Sequence, residues 1–209
     1  MTSDIILTDI DGVCLDWRKA FINWMHTKDM HVQDNTEHDY SIAKIFGIGP
    51  LEGEQLVREF NSSAAIGYLD AYLDSRYWIR MLNERHGIKF LAVTSLSRDY
   101  YARKAREDNL KRLFGDAFID VICLDTGAPK YDCLKQLGES YGGAWWIEDK
   151  IENADDGVKL GYRSILMQQD WNSNYSGDAL KARNWEDVYQ AIMFDFTKKT
   201  DSVKTELSM

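Results

Sequence analysis

Apolar residues recur along the chain in two alternating rhythms, short unbroken runs and longer stripes at helical spacing. Ile5, Ile6 and Leu7 form the first run, which predicts a strand over 4–8 that stops at Asp9. Asp16 can cap a helix whose Trp17, Ala20, Phe21, Trp24 and Met25 repeat at steps of three and four. Residues 26–50 lose this rhythm, turn polar, and end in Gly47, Gly49 and Pro50. A helix over about 51–60 follows, then a loop through Ser62, Ser63 and Gly67. Asp74 or Ser75 is expected to cap the next helix, which carries Trp78, Met81 and Leu82 and stops at Gly87, a good left-handed terminator.

From residue 88 the alternation becomes regular. Apolar runs at 88–93, 119–124, 144–147 and 164–167 predict four more strands. Between them the pattern predicts three helices. The first is capped by Ser97 and carries Tyr101, Ala105 and Leu110; the second begins near Pro129 with Leu134 and Leu137; the third runs through Ile151, Ala154 and Val158. Asn184 caps a last helix with Trp185, Val188, Tyr189, Ile192 and Phe196, beyond which 199–209 reads as a flexible tail. Strands joined by helices of this length imply an α/β fold with a parallel sheet and right-handed crossovers. In such sheets ligands bind beyond the carboxyl ends of the strands. The segment 16–86 is too long for a plain crossover and reads as a small helical cap inserted into a core of 1–15 and 87–198.

Composition narrows the function classes. With 209 residues, 44% of them apolar and 12% aromatic, the chain can bury one substantial core. Its net charge of −9 and pI near 4.9 disfavour a long nucleic acid, whose phosphates seek Lys and Arg. A small phosphorylated molecule remains open if a divalent cation is recruited beside it. No apolar run approaches the roughly 20 residues of a membrane span. The first residues carry acids where a signal peptide carries positive charge, so a cytoplasmic location is expected. Cys14, Cys123 and Cys133 lack CxxC spacing and read as reduced thiols. His26, His31, His38 and His86 lack HExxH or any tight ligand spacing.

The chemistry concentrates where strands end. The first strand closes with Asp9 and Asp11 ahead of Gly12; the second with Thr94 and Ser95; the fourth with Glu148 and Asp149. Lys130 follows the third strand at a helix start. Alone, these are an acidic turn, a capping turn, an acidic helix start and a surface lysine. Together, at successive strand ends, they make one site. Its carboxylates and carbonyls are hard oxygens that suit Mg²⁺, while a hydroxyl, a helix start and a lysine suit phosphate oxygens. A calcium EF-hand is excluded, because the glycine is misplaced and no Glu closes the loop.

The series DIDGV (9–13), VTS (93–95), Lys130 and IEDKIEN (147–153) resembles the four motifs of the haloacid-dehalogenase-like phosphatases. The likeness spans residues 4 to about 168 and implies that family's three-layer Rossmann-like sheet. Within it, Asp16-Trp17, the TS of the second motif, QQDWN and NWEDVYQAI are most similar to the 5'(3')-deoxyribonucleotidase branch, although Glu148 stands where that branch usually has Asp. The resemblance implies a Mg²⁺-dependent phosphomonoester hydrolase, with Asp9 as the nucleophile that becomes an aspartyl-phosphate and Asp11 as acid and base. Mg²⁺ would be held by Asp9, the Asp11 backbone carbonyl and Asp149, with Glu148 orienting metal-bound water. Thr94, Ser95 and Lys130 would bind the substrate phosphate, Thr94 and Lys130 also serving catalysis. The expected substrate is a nucleoside monophosphate. A sugar phosphate, a nucleic-acid phosphate end, and a receiver-like signalling module with Asp125 as its phosphorylated residue are the alternatives. Trp17, Phe21, Tyr40 and Phe46 are candidates either to stack on a base or to pack the cap.

Overall fold

The computed structural model describes residues 5–36 and 38–206. Its centre is a six-stranded sheet of β1 (Ile5–Thr8), β2 (Lys89–Thr94), β3 (Phe118–Cys123), β4 (Trp145–Glu148), β5 (Arg163–Met167) and β6 (Leu180–Ala182). The strand order is β3-β2-β1-β4-β5-β6, and every neighbouring pair is parallel. β1 therefore lies mid-sheet, flanked by β2 and β4, and the order of connections reverses beside it.

Successive strand residues point to opposite faces, so the uninterrupted apolar runs feed two cores at once. Ile6, Phe90, Ile147 and Ile165 join one core with side chains of α4 (Leu73–His86), α5 (Tyr100–Phe114) and α8 (Trp185–Glu206). Leu7, Leu91, Val93 and Trp146 join the other with Leu134 of α6 (Tyr131–Tyr141). Leu166 packs on Ala154 of α7 (Ile151–Lys159) on that same side. Each fully buried aliphatic or aromatic side chain contributes about 1.5–3 kcal/mol. This is the three-layer α/β fold expected from the sequence. No described helix is long and apolar enough to cross a membrane.

Between β1 and β2 the chain builds α1 (Trp17–His26), α2 (Ile42–Phe46) and α3 (Pro50–Asn61), followed by a 3-10 turn at Ala64–Tyr68. Phe21 holds the helices together: it stacks on Trp17 at 4.7 Å and meets Phe46 and Phe60 edge-on. The chain leaving the core and the chain returning run side by side. Leu15 pairs antiparallel with Ala71, Asp16 N–H donates to Asp70 O at 2.9 Å, and Tyr72 N–H donates to Cys14 O at 3.2 Å. α4 packs against α5 and α8 rather than against α1 to α3.

Several local expectations change. α5 is capped by Asp99, which accepts from Ala102 N–H at 2.9 Å, and not by Ser97. Its buried stripe is Ala102, Arg106, Leu110 and Leu113, while Tyr101 is exposed. α4 starts at Leu73, and Asp74 turns one oxygen to Trp185 N–H at 2.8 Å instead of capping the helix. The short α2 lies inside a stretch without visible rhythm, and the three residues of β6 are too few to form a run. α8 continues to Glu206, through most of the segment expected to be a tail. Residues 207–209 and the Phe196 side chain lie outside what is described.

Candidate active site

The carboxyl ends of β1, β2 and β4, with the start of α6, converge on one cavity of about 620 Å³. That size suits a small organic ligand. Its lining includes Asp9, Asp11, Gly12, Thr94, Ser95, Lys130, Glu148 and Asp149, so all the sequence-predicted residues share one space.

β1 fixes the first of them. Asp9 N–H donates to Ile147 O at 2.8 Å, extending the β1–β4 ladder by one step and burying Asp9 beside the end of β4. The chain then folds tightly, with the N–H groups of Cys14 and Leu15 both on Ile10 O at 2.8 and 2.9 Å. Gly12 sits at φ +83°, a left-handed conformation that side chains disfavour, and a Cβ there would collide with the Asp149 carboxylate. Glycine is thus what lets Asp149 approach the turn. Two residues after β5 brace it from outside: Gln169 Nε2 donates to Gly12 O at 2.8 Å, and Asn172 Nδ2 to Asp149 O at 2.7 Å.

Lys130 precedes α6, fully buried, and its ammonium bridges Asp9 Oδ1 at 2.7 Å and Glu148 Oε2 at 2.8 Å. Glu148 is committed to protein donors. Beyond Lys130 it accepts from Asn153 Nδ2 at 3.2 Å and from the N–H groups of Asp149 and Lys150, both at 3.1 Å. Its oxygens thereby anchor Lys130 and the start of α7. Thr94 Oγ1 is buried at the cavity wall with no partner among the described residues, whereas Ser95 Oγ donates to Ala128 O at 2.8 Å.

The electrostatics follow from crowding. Burial, then the charge of Glu148, pushes the Asp9 carboxyl up to about 8, against the pull of Lys130. Burial and the charges of Glu148 and Asp9 likewise hold Asp149 well above the ordinary carboxylate range. Burial opposes charge on Lys130 too, but Asp9 and Glu148 outweigh it and raise its pKa. Asp9, Glu148 and Asp149 each offer an oxygen within 4.8 Å of the others, all three buried. With Glu148 turned to its protein donors, Asp9 and Asp149 keep hard, crowded oxygens that fit Mg²⁺, which would relieve the repulsion that adds to burial in raising both of their pKa values.

Asp11 is held apart from that trio. Both of its oxygens engage Arg106 of α5, Oδ1 from Nη1 at 2.6 Å and Oδ2 from Nη2 at 3.1 Å. The sequence reading overlooked Arg106. Its signal was there, a charged residue at a core-facing helical position, but a stripe through Tyr101 and Ala105 hid it.

The far side of the cavity is lined by the insert and by the loop after β5. Trp17 donates to Asn61 Oδ1 at 2.9 Å, and Tyr40 lies exposed beside Trp171, ring centroids 5.8 Å apart. Arg18, on Asp39 O and Thr36 O at 2.8 and 3.2 Å, stacks over Trp171 at 5.5 Å. Of the four aromatic candidates, Phe21 and Phe46 are buried in the packing of the insert, and only Trp17 and Tyr40 line the cavity.

Residues 3–199 match the model of the family described as 5' nucleotidase, deoxy (pyrimidine), cytosolic type C protein. An uncharacterized 32.4 kDa protein of Enterobacteria phage T4, from the gp30–rIII intergenic region, is 29% identical over 189 residues. That match covers 88% of this chain and 67% of the phage protein. Among solved structures, the L-2-haloacid dehalogenase of Xanthobacter autotrophicus with chloropropionic acid covalently bound superposes with a TM-score of 0.61 at 10% identity, covering 91% of this chain and 98% of that one. The D,D-heptose 1.7-bisphosphate phosphatase of B. bronchiseptica, complexed with magnesium and phosphate, gives 0.55 at 12% identity, with 91% and 98% covered. At such identities these two likenesses concern the fold.

Proposed function

The chain belongs to the cytosolic type C family of deoxy (pyrimidine) 5'-nucleotidases, within the haloacid-dehalogenase-like phosphatases, and from that premise we propose that it hydrolyses deoxynucleoside monophosphates through an aspartyl-phosphate on Asp9. The observation that carries the reading is the placement of Asp9 at 2.7 Å from Lys130 in a buried corner whose Thr94 hydroxyl has no partner among the described residues. A phosphate there would find a nucleophile, a cation and a free hydroxyl together.

In the first step an Asp9 oxygen attacks phosphorus as the ester bond breaks, and Asp11 gives a proton to the departing oxygen. In the second, water attacks the same phosphorus, its proton returns to Asp11, and Asp9 is regenerated. Lys130 keeps Asp9 oriented and faces the charge that gathers on the phosphoryl oxygens. Thr94 Oγ1 and Ser95 bind those oxygens. Asp9, Asp149 and the Asp11 carbonyl would hold Mg²⁺, whose charge offsets repulsion between nucleophile and phosphate. Glu148 acts by fixing Lys130. We assign the cap to α1, α2, α3 and the turn after them, which close the cavity above the phosphate and exclude water.

A panel of deoxynucleoside and ribonucleoside monophosphates and sugar phosphates, assayed with and without Mg²⁺, tests the reading. The expected result is Mg²⁺-dependent release of phosphate, fastest from a deoxynucleotide. Equal, slow rates on every nucleotide would remove the nucleotidase assignment. Steady turnover of any phosphomonoester excludes the signalling alternative.

A further inference from the structure

Arg106 has no part in the four motifs, yet it is one of the largest fully buried side chains. It occupies a core-facing position of α5, in line with Ala102, Leu110 and Leu113, where an aliphatic residue would suffice for packing. Burying a guanidinium is costly unless it is paired with good geometry. The two terminal nitrogens go to the two oxygens of Asp11, and Nε has no partner among the described residues. Arg106 does not line the cavity, but Asp11 does. The guanidinium therefore reaches the reaction space only through Asp11.

We propose that Arg106 is a positioning residue for proton transfer: its planar fork fixes the plane and location of the Asp11 carboxylate relative to Asp9. The inference rests on Asp11 being the acid and base proposed above. Two parallel N–H···O bonds fix both the direction and the rotation of a carboxylate, which a single donor cannot do. Each oxygen keeps a further lone pair. One of these can carry the proton that passes to the ester oxygen when the P–O bond breaks, and later accept the proton of the attacking water. A plain structural pin would be satisfied by any side chain that keeps α5 packed, so the two roles are separable.

The test compares Arg106→Met, Arg106→Lys and Asp11→Asn, each with Mg²⁺, on a deoxynucleoside monophosphate and on p-nitrophenyl phosphate. The nitrophenolate leaves without protonation, so its first step does not need Asp11 as an acid. For Arg106→Met on the nucleotide, kcat should fall about 100-fold, the scale of a small misplacement of a reacting group. Its KM should stay within about threefold, because phosphate-binding groups are untouched. On p-nitrophenyl phosphate the same variant should keep its rapid burst of nitrophenol while steady turnover slows. Arg106→Lys, with the charge but not the fork, should recover stability and only part of kcat. Adding Arg106→Met to Asp11→Asn should cost nothing further.

Wild-type kcat on the nucleotide in Arg106→Met would overturn the inference, as would an equal loss of burst and steady rate. If Arg106→Met does not fold, the Lys variant decides, and full kcat there overturns the proposal. A crippled Asp11→Asn beside a fully active Arg106→Met removes this inference alone. A fully active Asp11→Asn removes the acid and base reading beneath it.

Discussion

The two ends of the cavity are built differently. At the phosphate end most functional side chains are buried and held by others: Lys130 between Asp9 and Glu148, the partly exposed Asp11 in the fork of Arg106, and Gly12 and Asp149 braced by Gln169 and Asn172. At the other end Tyr40 is exposed, and Arg18 and Trp171 meet through a cation–π contact rather than a saturated network. Chemistry that depends on small displacements sits where the sheet imposes geometry. In the reading proposed above, selection of the rest of the substrate falls to side chains on the insert, which can vary without disturbing the sheet.

Substitutions at the two ends should therefore fail in different ways. The largest effect is expected for Asp9→Asn, which removes the proposed nucleophile while keeping its shape; turnover should drop by about 10⁴-fold or more with the fold intact by circular dichroism. Appreciable Mg²⁺-dependent activity in that variant would refute the assignment.

Lys130→Met should come next, and differently. It leaves Asp9 and Glu148 facing each other without a cation, so both turnover and stability should suffer, the latter by about 3–5 kcal/mol in a denaturant titration. An unchanged unfolding midpoint would show that the phosphate end is less tightly built than the comparison holds.

Gly12→Ala should cost about 1–2 kcal/mol for the left-handed backbone and displace Asp149 as well. The Mg²⁺ concentration for half-maximal activity should rise about tenfold or more. A normal Mg²⁺ titration would separate Asp149 from metal binding.

Tyr40→Ala should have the smallest effect: KM for the nucleotide up about three- to tenfold, with kcat and stability nearly unchanged. If kcat collapsed as well, the division between the two ends would not hold.

The sequence displayed the phosphate end well because strand ends are local features. An apolar run that stops at a carboxylate or a hydroxyl can be read without knowing what lies opposite. The same logic failed for residues whose partners are distant in sequence. Arg106 is 95 positions from Asp11, and only the correct helical phase marks it as buried. Choosing Tyr101 and Ala105 as the stripe turned α5 by one residue and put Arg106 on the wrong face. Glu148 was legible as an acid at a strand end, but its partners, Lys130 and Asn153, depend on how α6 and α7 settle on the sheet. The aromatic residues of the insert were identified as a group. Which of them pack and which face the cavity depended on how three short helices meet.

By itself, then, the sequence determined the alternation of strands and helices, the parallel sheet, and the acids, hydroxyls and lysine that meet at its carboxyl edge. These follow from periodicity and from where apolar runs stop, both properties of neighbouring residues. The tertiary structure decided the rest: that Gly12 makes room for Asp149, that Glu148 pairs with Lys130, and that Arg106 stands behind Asp11. Each of those is a contact between segments far apart in the chain, set by packing of helices on the sheet, and no local pattern encodes it.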